Sequence, residues 1–342
     1  MLKKFSTIAL VMSSAALLAS PAFAGKTLDD VKKRQQLVCG VSQGVSGMSQ
    51  ADSNGKWSGI DIDYCRAVAA AVIGDPDKVR YVPLTTAQRF TALQSGEIDI
   101  LARNSTWTMS RDASLGIQFT GVTYYDGQGF MVPAKSNIKS LDQLKGATIC
   151  VQSGTTDEKN LSDYSRANKT GMKPVVFGTH DAVAGAYFAG RCAAVSHDIT
   201  SLASMRNAEA KDPNEHVILA DVISKEPLGP AVRRGDDDWA AISKWVLYGL
   251  IEAEEYGITQ ANVDQLLAQS SDPAVLRILG KTEDTGKWIG LDRDWMARAI
   301  KASGNYGEMF ERNVGASSTV QLPRGLNNLW SKGGVMYAPP IR

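Results

Sequence analysis

Short apolar runs alternate with amphipathic stretches twice along this chain, and that rhythm restricts its fold more than any other feature. Leu37-Val-Cys-Gly-Val41 reads as a buried strand. Asp61 to Ile73 reads as a helix, with Tyr64, Val68 and Val72 on one stripe and Gly74 as its stop. Val79 to Val82 is a second strand, Ala87 to Leu93 a short helix closed by Gly96, and Glu97 to Ala102 a third strand. Strand, helix, strand, helix, strand requires right-handed crossovers and a mainly parallel sheet. The rhythm restarts with a strand at Ala147 to Val151 and a helix opened by Gly154-Thr-Thr-Asp-Glu158. A strand at Pro174 to Phe177, a helix at Ala182 to Ala189 and a strand at Ala193 to Ser196 follow. The chain therefore holds two α/β units, without detectable repetition of sequence between them.

Thr123 to Phe130, rich in glycine and aromatic residues, and Glu226-Pro-Leu-Gly-Pro230 read as connecting strands that form a hinge. Trp239 to Glu255 is an amphipathic helix with Ile242, Trp245, Val246, Gly249 and Leu250 inward. The tail beyond it has helical pieces around Val263–Leu267 and Asp294–Ala302 and ends in an irregular Gly/Pro-rich run. It is expected to pack against the first unit, and its sequence suggests no chemical role.

The first 24 residues stand apart. Lys3 and Lys4 precede an apolar run, Ile8 to Leu18, that is too short for a permanent membrane helix, and Ala22-Phe-Ala24 is a small-x-small cleavage signal. Cleavage after Ala24 is expected, with export to a bacterial periplasm. The lack of cysteine at that boundary argues against a lipid anchor. Loss of Lys3 and Lys4 leaves 35 basic residues (37 − 2) against 36 acidic ones, a net charge of −1 (35 − 36). That balance offers no footprint for nucleic acid or an anionic membrane. The length suits two domains, each able to bury a core of its own. Export permits disulfides, and the four cysteines fall two to each half. The favoured pairing is Cys39–Cys65 and Cys150–Cys192, and the alternative is four buried free thiols. No C-x-x-C spacing points to a metal or redox site.

The chemistry concentrates at Asp99-Ile-Leu-Ala-Arg-Asn-Ser-Thr-Trp-Thr-Met-Ser-Arg111. A buried strand ends there in hydroxyl and amide side chains, and one arginine follows. Thr106, the Asn104 backbone and Arg111 offer acceptors for an ammonium and a guanidinium fork for a carboxylate, the set an α-amino acid needs. The alternative is a polar loop with a solvated arginine.

Six motifs in fixed order carry a resemblance. Gly59-Ile-Asp-Ile-Asp-Tyr64 opens the first helix. Arg89-Phe90 then leads to Leu93-Gln-Ser-Gly-Glu-Ile-Asp99. Thr106-Trp-Thr-Met-Ser-Arg111 departs from Thr-x-Thr-Pro-Glu-Arg at Met109 and Ser110. Phe119 to Tyr125, Val151-Gln-Ser-Gly-Thr-Thr156 and Ala193-Ala-Val-x-x-Asp198 complete the series. Together they resemble the periplasmic solute-binding proteins for polar amino acids over residues 26–250. With the long tail, the chain is similar to the general L-amino acid-binding components of ABC importers within that family.

The resemblance implies a two-lobed α/β fold of the periplasmic binding protein type II, hinged by two connecting strands and extended by a helical C-terminal tail. One lobe would comprise residues 26–123 and 228–342, the other 124–227. It implies Arg111 on the ligand carboxylate together with the helix start at Thr155 and Thr156, where free N–H groups and the helix dipole favour an anion. Asp198, the Asn104 carbonyl and the Thr106 hydroxyl would share the ammonium. Many relatives sandwich the ligand side chain between aromatics; here those places fall at Val45 or Met48 and near Thr86. Gln43, Met48 and Trp107 are the candidate liners of a wider, uncharged pocket suited to broad specificity. Trp107 reads equally well as core, and Arg89 and Arg103 either meet acidic side chains or lie on the surface.

Signals for catalysis fail. His180, His197 and His216 show no metal spacing and read as surface or loop residues. Gly280 to Lys287 has one residue too many for a phosphate loop and Trp288 where Ser or Thr is required. Ser53-Asn-Gly-Lys56 marks a turn rather than a Ser-x-x-Lys nucleophile. The expectation is a binding protein without catalytic residue, metal or cofactor, which delivers amino acids to an inner-membrane ABC permease. The rival readings are a periplasmic dehydratase on the same scaffold and a sensory binding protein reporting to a receptor.

Overall fold

The structure is a computed structural model in which residues 26–342 are described; the export leader expected over residues 1–24 lies outside the described residues. The first stretch holds α1 (Lys26–Arg34), β1 (Leu37–Val41), a small hairpin of β2 (Gln50–Ala51) and β3 (Trp57–Ser58), and α2 (Ile60–Ile73). It continues through β4 (Val79–Pro83), α3 (Arg89–Ser95), β5 (Ile100–Leu101), α4 (Met109–Ser114) and β6 (Ile117–Phe119). The middle stretch runs β7 (Tyr124–Asp126), β8 (Gln128–Pro133), β9 (Thr148–Gln152), α5 (Thr156–Ala167) and β10 (Lys173–Phe177). Then come α6 (His180–Phe188), β11 (Ala194–Asp198), α7 (Ile199–Ser204), β12 (His216–Ile218) and β13 (Glu226–Leu228). The chain returns through β14 (Ala231–Arg233) and α8 (Asp237–Glu255). It ends in α9 (Val263–Gln269), α10 (Pro273–Ile278), α11 (Trp295–Ser303), α12 (Tyr306–Asn313) and an irregular tail.

Two five-stranded sheets result, ordered β4-β1-β5-β14-β6 and β10-β9-β11-β8-β12. In each, three strands are parallel, as the crossover helices require; the fourth runs antiparallel to them and the fifth antiparallel to the fourth. The two connecting strands pair as a separate ribbon, β7 with β13, with Tyr125 opposite Pro227. This gives two lobes on a two-stranded hinge.

The expected third strand is cut short. β5 pairs with β1 only at Cys39↔Ile100 and Gly40↔Leu101, because the Asp99 carboxylate takes the Val38 N–H at 2.7 Å and the Arg34 guanidinium. Helix α3 runs Arg89–Ser95 rather than Ala87–Leu93, stopped by Gly96 in the left-handed region.

Lobe 1 is built around α2, which is buried along most of its length and packs on β1, α8 and α11. Gly59 is required at its start: φ is 130° and a Cβ there would lie 2.0 Å from the Met48 carbonyl oxygen. Gly249 of α8 lets α11 approach, since its Cβ would meet Met296 Sδ at 2.1 Å. Trp245, expected inward, is only half-buried. Cys39–Cys65 joins β1 to α2, and Cys150–Cys192 joins β9 to the turn after α6. No helix among the described residues is long and apolar enough to cross a membrane.

The tail packs on lobe 1 and also reaches the hinge. Arg298 donates to the Ala71 carbonyl, Arg312 and Asn313 reach Asp63, and Tyr306 Oη donates to the Thr123 carbonyl. Asn327 pairs with both backbone groups of Tyr125, as a neighbouring strand would, at 2.7 and 3.1 Å.

Candidate functional site

The carboxyl ends of the parallel strands of both sheets face one another, the place where open α/β sheets present ligand sites. Between them lies a polar cavity of about 290 Å³, lined by Gln43, Asn104, Thr106, Arg111, Thr155, Thr156 and Asp198 among others. At about 30 Å³ per water it has room for about ten waters. Bonds between the lobes close it: Thr86 Oγ1 donates to the Ser153 carbonyl at 3.0 Å, and Ser46 N–H to Ser204 Oγ at 3.1 Å. The Thr106 and Thr156 hydroxyls meet at 3.2 Å.

The lobe 1 wall is held by its backbone. Asn104 sits in the left-handed region (φ 27°), and its N–H donates to Asp61 Oδ2 at 2.9 Å. Burial pushes the Asp61 carboxyl up to about 7, against the Asn104 hydrogen bond and the nearby Arg103 cation. Trp107 N–H donates to the Pro227 carbonyl at 2.8 Å, which pins this loop to hinge strand β13. Arg111 lies in the first turn of α4, capped by Thr108. Its Nη1 donates to the Thr106 carbonyl at 2.9 Å, and the guanidinium lies 5.3 Å from the centre of the Phe90 ring.

The lobe 2 wall begins at the N-terminus of α5. Thr155 caps it, accepting from Glu158 N–H, and Thr156 Oγ1 donates to Glu226 Oε2 at 2.8 Å. Glu226 is a buried hinge residue that also accepts from Asn160 and Ser224. The Thr156 and Asp157 N–H groups precede the first intrahelical bond and carry the positive end of the helix dipole. Asp157, in the same first turn, and Asp198, at the end of β11, are buried, and Oδ1 of each is without a partner. Burial, then the Asp157, Asp126 and Glu226 carboxylates, drive the Asp198 carboxyl well above the usual range, with Arg111 opposing. Asp157, His197 and Asp198 bring ligand atoms within 4.8 Å of one another. His197 Nδ1 already accepts the Asp198 N–H at 2.8 Å. Asp157 Oδ1 and Asp198 Oδ1 remain without partners, and such oxygens can accept from an ammonium.

Six of the anticipated residues, Asn104, Thr106, Arg111, Thr155, Thr156 and Asp198, thus line one cavity with Gln43. Met48 and Trp107 do not. Val45 and Ser49 pair to form a tight turn that sends Met48 into the lobe 1 core. Thr106 and Trp107 alternate along an extended segment, so with Thr106 inward Trp107 points out, 39% exposed and stacked on Phe119 at 5.7 Å. His180 and His197, read from sequence as surface or loop residues, are buried in the cavity wall, whereas His216 is half-buried beside Tyr187. Arg89 and Arg103 are buried and line the cavity as well, so the pocket is not uncharged. Asp61 belongs to the motif that opens the first helix, and its contact with Asn104 is nonlocal. The signal available in the sequence was position: these residues follow the carboxyl ends of predicted parallel strands.

Two α/β lobes joined by paired strands, with a polar cavity closed between them, define a hinged, two-lobed binding protein. The family model for bacterial extracellular solute-binding proteins, family 3, matches residues 37–262, and the chain belongs to that family. It is 54% identical over 332 residues to the general L-amino acid-binding periplasmic protein AapJ of Rhizobium johnstonii, covering 96% of this chain and 97% of that one. It is 52% identical over 338 residues to the glutamate/glutamine/aspartate/asparagine-binding protein BztA of Rhodobacter capsulatus, covering 99% and 98%. A solved periplasmic binding protein of an ABC transporter from Brucella ovis, with glutathione bound, is 52% identical with a TM-score of 0.90, covering 92% and 99%.

Proposed function

We propose that this protein is the periplasmic binding component of an ABC importer, which captures L-amino acids by their shared zwitterionic head and delivers them to a membrane permease. The observation that carries this reading is the polarity of the closed cavity. The Arg111 guanidinium, a helix N-terminus and buried carboxylate oxygens without partners line it together. Arg111 with the Thr156 and Asp157 N–H groups takes the ligand carboxylate. Asp198, the Asn104 carbonyl and the Thr106 hydroxyl take the ammonium, which supplies the missing partner for Asp198 Oδ1. We assign residues 26–123 and 228–342 to one lobe, 124–227 to the other, and residues 1–24 to a leader removed on export to the periplasm.

Binding then needs no covalent step. Ligand bridges the two walls and shifts the population toward the closed form, which the permease recognises. The names of the similar proteins, a general L-amino acid binder and a binder of four acidic and amide residues, support a head-directed site that admits several side chains. The test is calorimetric titration of ligand-stripped protein with a panel of amino acids. Several L-amino acids are expected to bind, with D-isomers much weaker, and bound ligand should raise the melting temperature by mass action. Equal affinity for both enantiomers, or no binding at all, refutes the reading.

A further inference from the structure

We propose that the C-terminal tail is a closure latch: its loop at Val320 holds Asn207 of lobe 2 only when the lobes are shut, and so sets ligand affinity without touching ligand. The inference rests on the closing motion proposed above and assigns part of its driving force to residues outside the cavity.

Asn207 lies in a π-helical turn, Met205–Glu209, that continues α7 of lobe 2. Its Nδ2 donates to the Val320 carbonyl at 2.9 Å, across 113 residues of sequence. Arg206 Nε donates to Asn207 Oδ1 at 3.0 Å, which turns the amide NH2 toward the tail. The receiving loop holds its own N–H groups. Ser318 Oγ accepts the Val320 and Gln321 N–H groups at 3.1 and 3.3 Å, and the Leu322 N–H donates to the Val314 carbonyl at 2.8 Å. Gln321 turns the chain in the left-handed region (φ 56°), and the Val320 carbonyl is left for lobe 2. The same loop supports the cavity. A Cβ on Gly47 would lie 2.7 Å from Val320 Cγ2 and 2.9 Å from the Asn313 carbonyl oxygen, so the two segments are in close contact. Gly47 follows Ser42 to Val45, which line the cavity, and Ser46, whose N–H bonds Ser204 in lobe 2. Ala203, also of lobe 2, is fully buried against the lobe 1 core. The cavity loop and the tail thus form one edge, and Ala203, Ser204 and Asn207 close on it together.

The tail is fixed to lobe 1 and to the hinge. Phe310 stacks on Tyr124 of β7 with ring centres 6.0 Å apart, and Asn327 takes both backbone groups of Tyr125. Arg324 lies 4.8 Å from the centre of the Phe310 ring and bonds Glu254 of α8 at 3.0 Å. Rotation of lobe 2 about β7 and β13 leaves these contacts in place and parts Asn207 from Val320. A contact made in one state alone is what shifts a two-state equilibrium. Asn207 is half-buried, and water replaces its partner in the open form. The net gain is therefore that of one neutral hydrogen bond, about three- to tenfold in the closed-to-open ratio. Apparent affinity follows that ratio whatever the ligand's side chain.

The experiment combines calorimetry, stopped-flow kinetics and melting on the full mature chain, stripped of ligand, with L-glutamate, L-glutamine and L-alanine as probes. Asn207→Ala should weaken every probe that the wild type binds by one common factor, about three- to tenfold, carried by faster release rather than slower association. Its ligand-free melting temperature should stay within about 1 °C of wild type, because the open form lacks the bond. Asn207→Asp, which turns a carboxylate oxygen toward the Val320 carbonyl, should weaken binding further. Ser318→Ala loosens the receiving loop; it should weaken binding on its own and add little to Asn207→Ala, since both act through one bond. It reads the latch from the tail even where an Asn207 variant fails to fold. Unchanged release rates in Asn207→Ala, a loss confined to one probe, or a fall in ligand-free melting temperature with Kd unaltered overturns the latch and leaves the functional reading standing. Absence of amino-acid binding in the wild type refutes the functional reading, and the latch falls with it.

Discussion

Replacing Arg111 by alanine tests the head-group geometry most directly. Nη1 is spent on the Thr106 carbonyl at 2.9 Å, and the guanidinium makes no other bond among the described residues, so the rest of the fork faces the cavity. Two charge-assisted bonds of about 1.5–3 kcal/mol each set the gross loss at about 3–6 kcal/mol. The α5 N-terminus remains and retains part of the anion's stabilisation. The expected net loss is therefore about 3 kcal/mol, roughly 150-fold in Kd. Arg111→Lys keeps the charge without the fork and should cost about half as much, roughly tenfold. Calorimetry on ligand-stripped protein reads both values. Melting of the ligand-free variants should change little, because Arg111 contributes one tethering bond to the fold. A Kd for Arg111→Ala within about threefold of wild type for every bound amino acid would refute the carboxylate assignment.

Asp61→Asn preserves an acceptor for the Asn104 N–H and should bind ligand nearly normally, whereas Asp61→Ala strands that buried donor and should lose about 1–3 kcal/mol of stability, with weaker binding; denaturant titration and calorimetry separate the two. Burial raises the carboxyls of Asp61 and Asp126 to about 7. The folded state therefore binds protons that the unfolded chain has released, and ligand-free stability should fall as pH rises from about 4 through about 7. Melting temperatures across that window check the sign, and Asp126→Asn should flatten the slope. Serine at both Cys150 and Cys192, which lie 42 residues apart, should cost about 4 kcal/mol by the chain-entropy relation; an unchanged denaturation midpoint would show that the bond contributes nothing. Gly59→Ala forces a Cβ to 2.0 Å from a carbonyl oxygen at a positive φ, so a loss of more than about 2 kcal/mol is expected on thermal or chemical unfolding.

Much of the site was legible because its parts are local. Thr155 and Thr156 follow a strand and open a helix, Asp198 ends a strand, and Asn104 to Arg111 form one continuous loop. Each lies within a few residues of a predicted strand or helix end, and the family resemblance supplied the roles of Thr155, Thr156 and Asp198. Met48 and Trp107 went astray because their direction depends on a two-residue alternation and on a turn closed by hydrogen bonds between backbones. Strands β6, β12 and β14 escaped notice because each is three residues long and finds its partner far along the chain.

The residues that follow one another in the chain were enough to specify two α/β units, the hinge strands between them and the helix starts that favour an anion; they favoured the pairing of cysteines within each half without deciding it. Apolar spacing and caps act over a few residues, and they carry that information in order. Tertiary packing alone settled the electrostatic character of the cavity. Arg89 and Arg103 became buried, unpaired cations, Asp61 became the support for Asn104, and Glu226 of the hinge came to hold Thr156. Burial and the distance between charges are properties of groups brought together from both lobes, and no stretch of sequence encodes them singly.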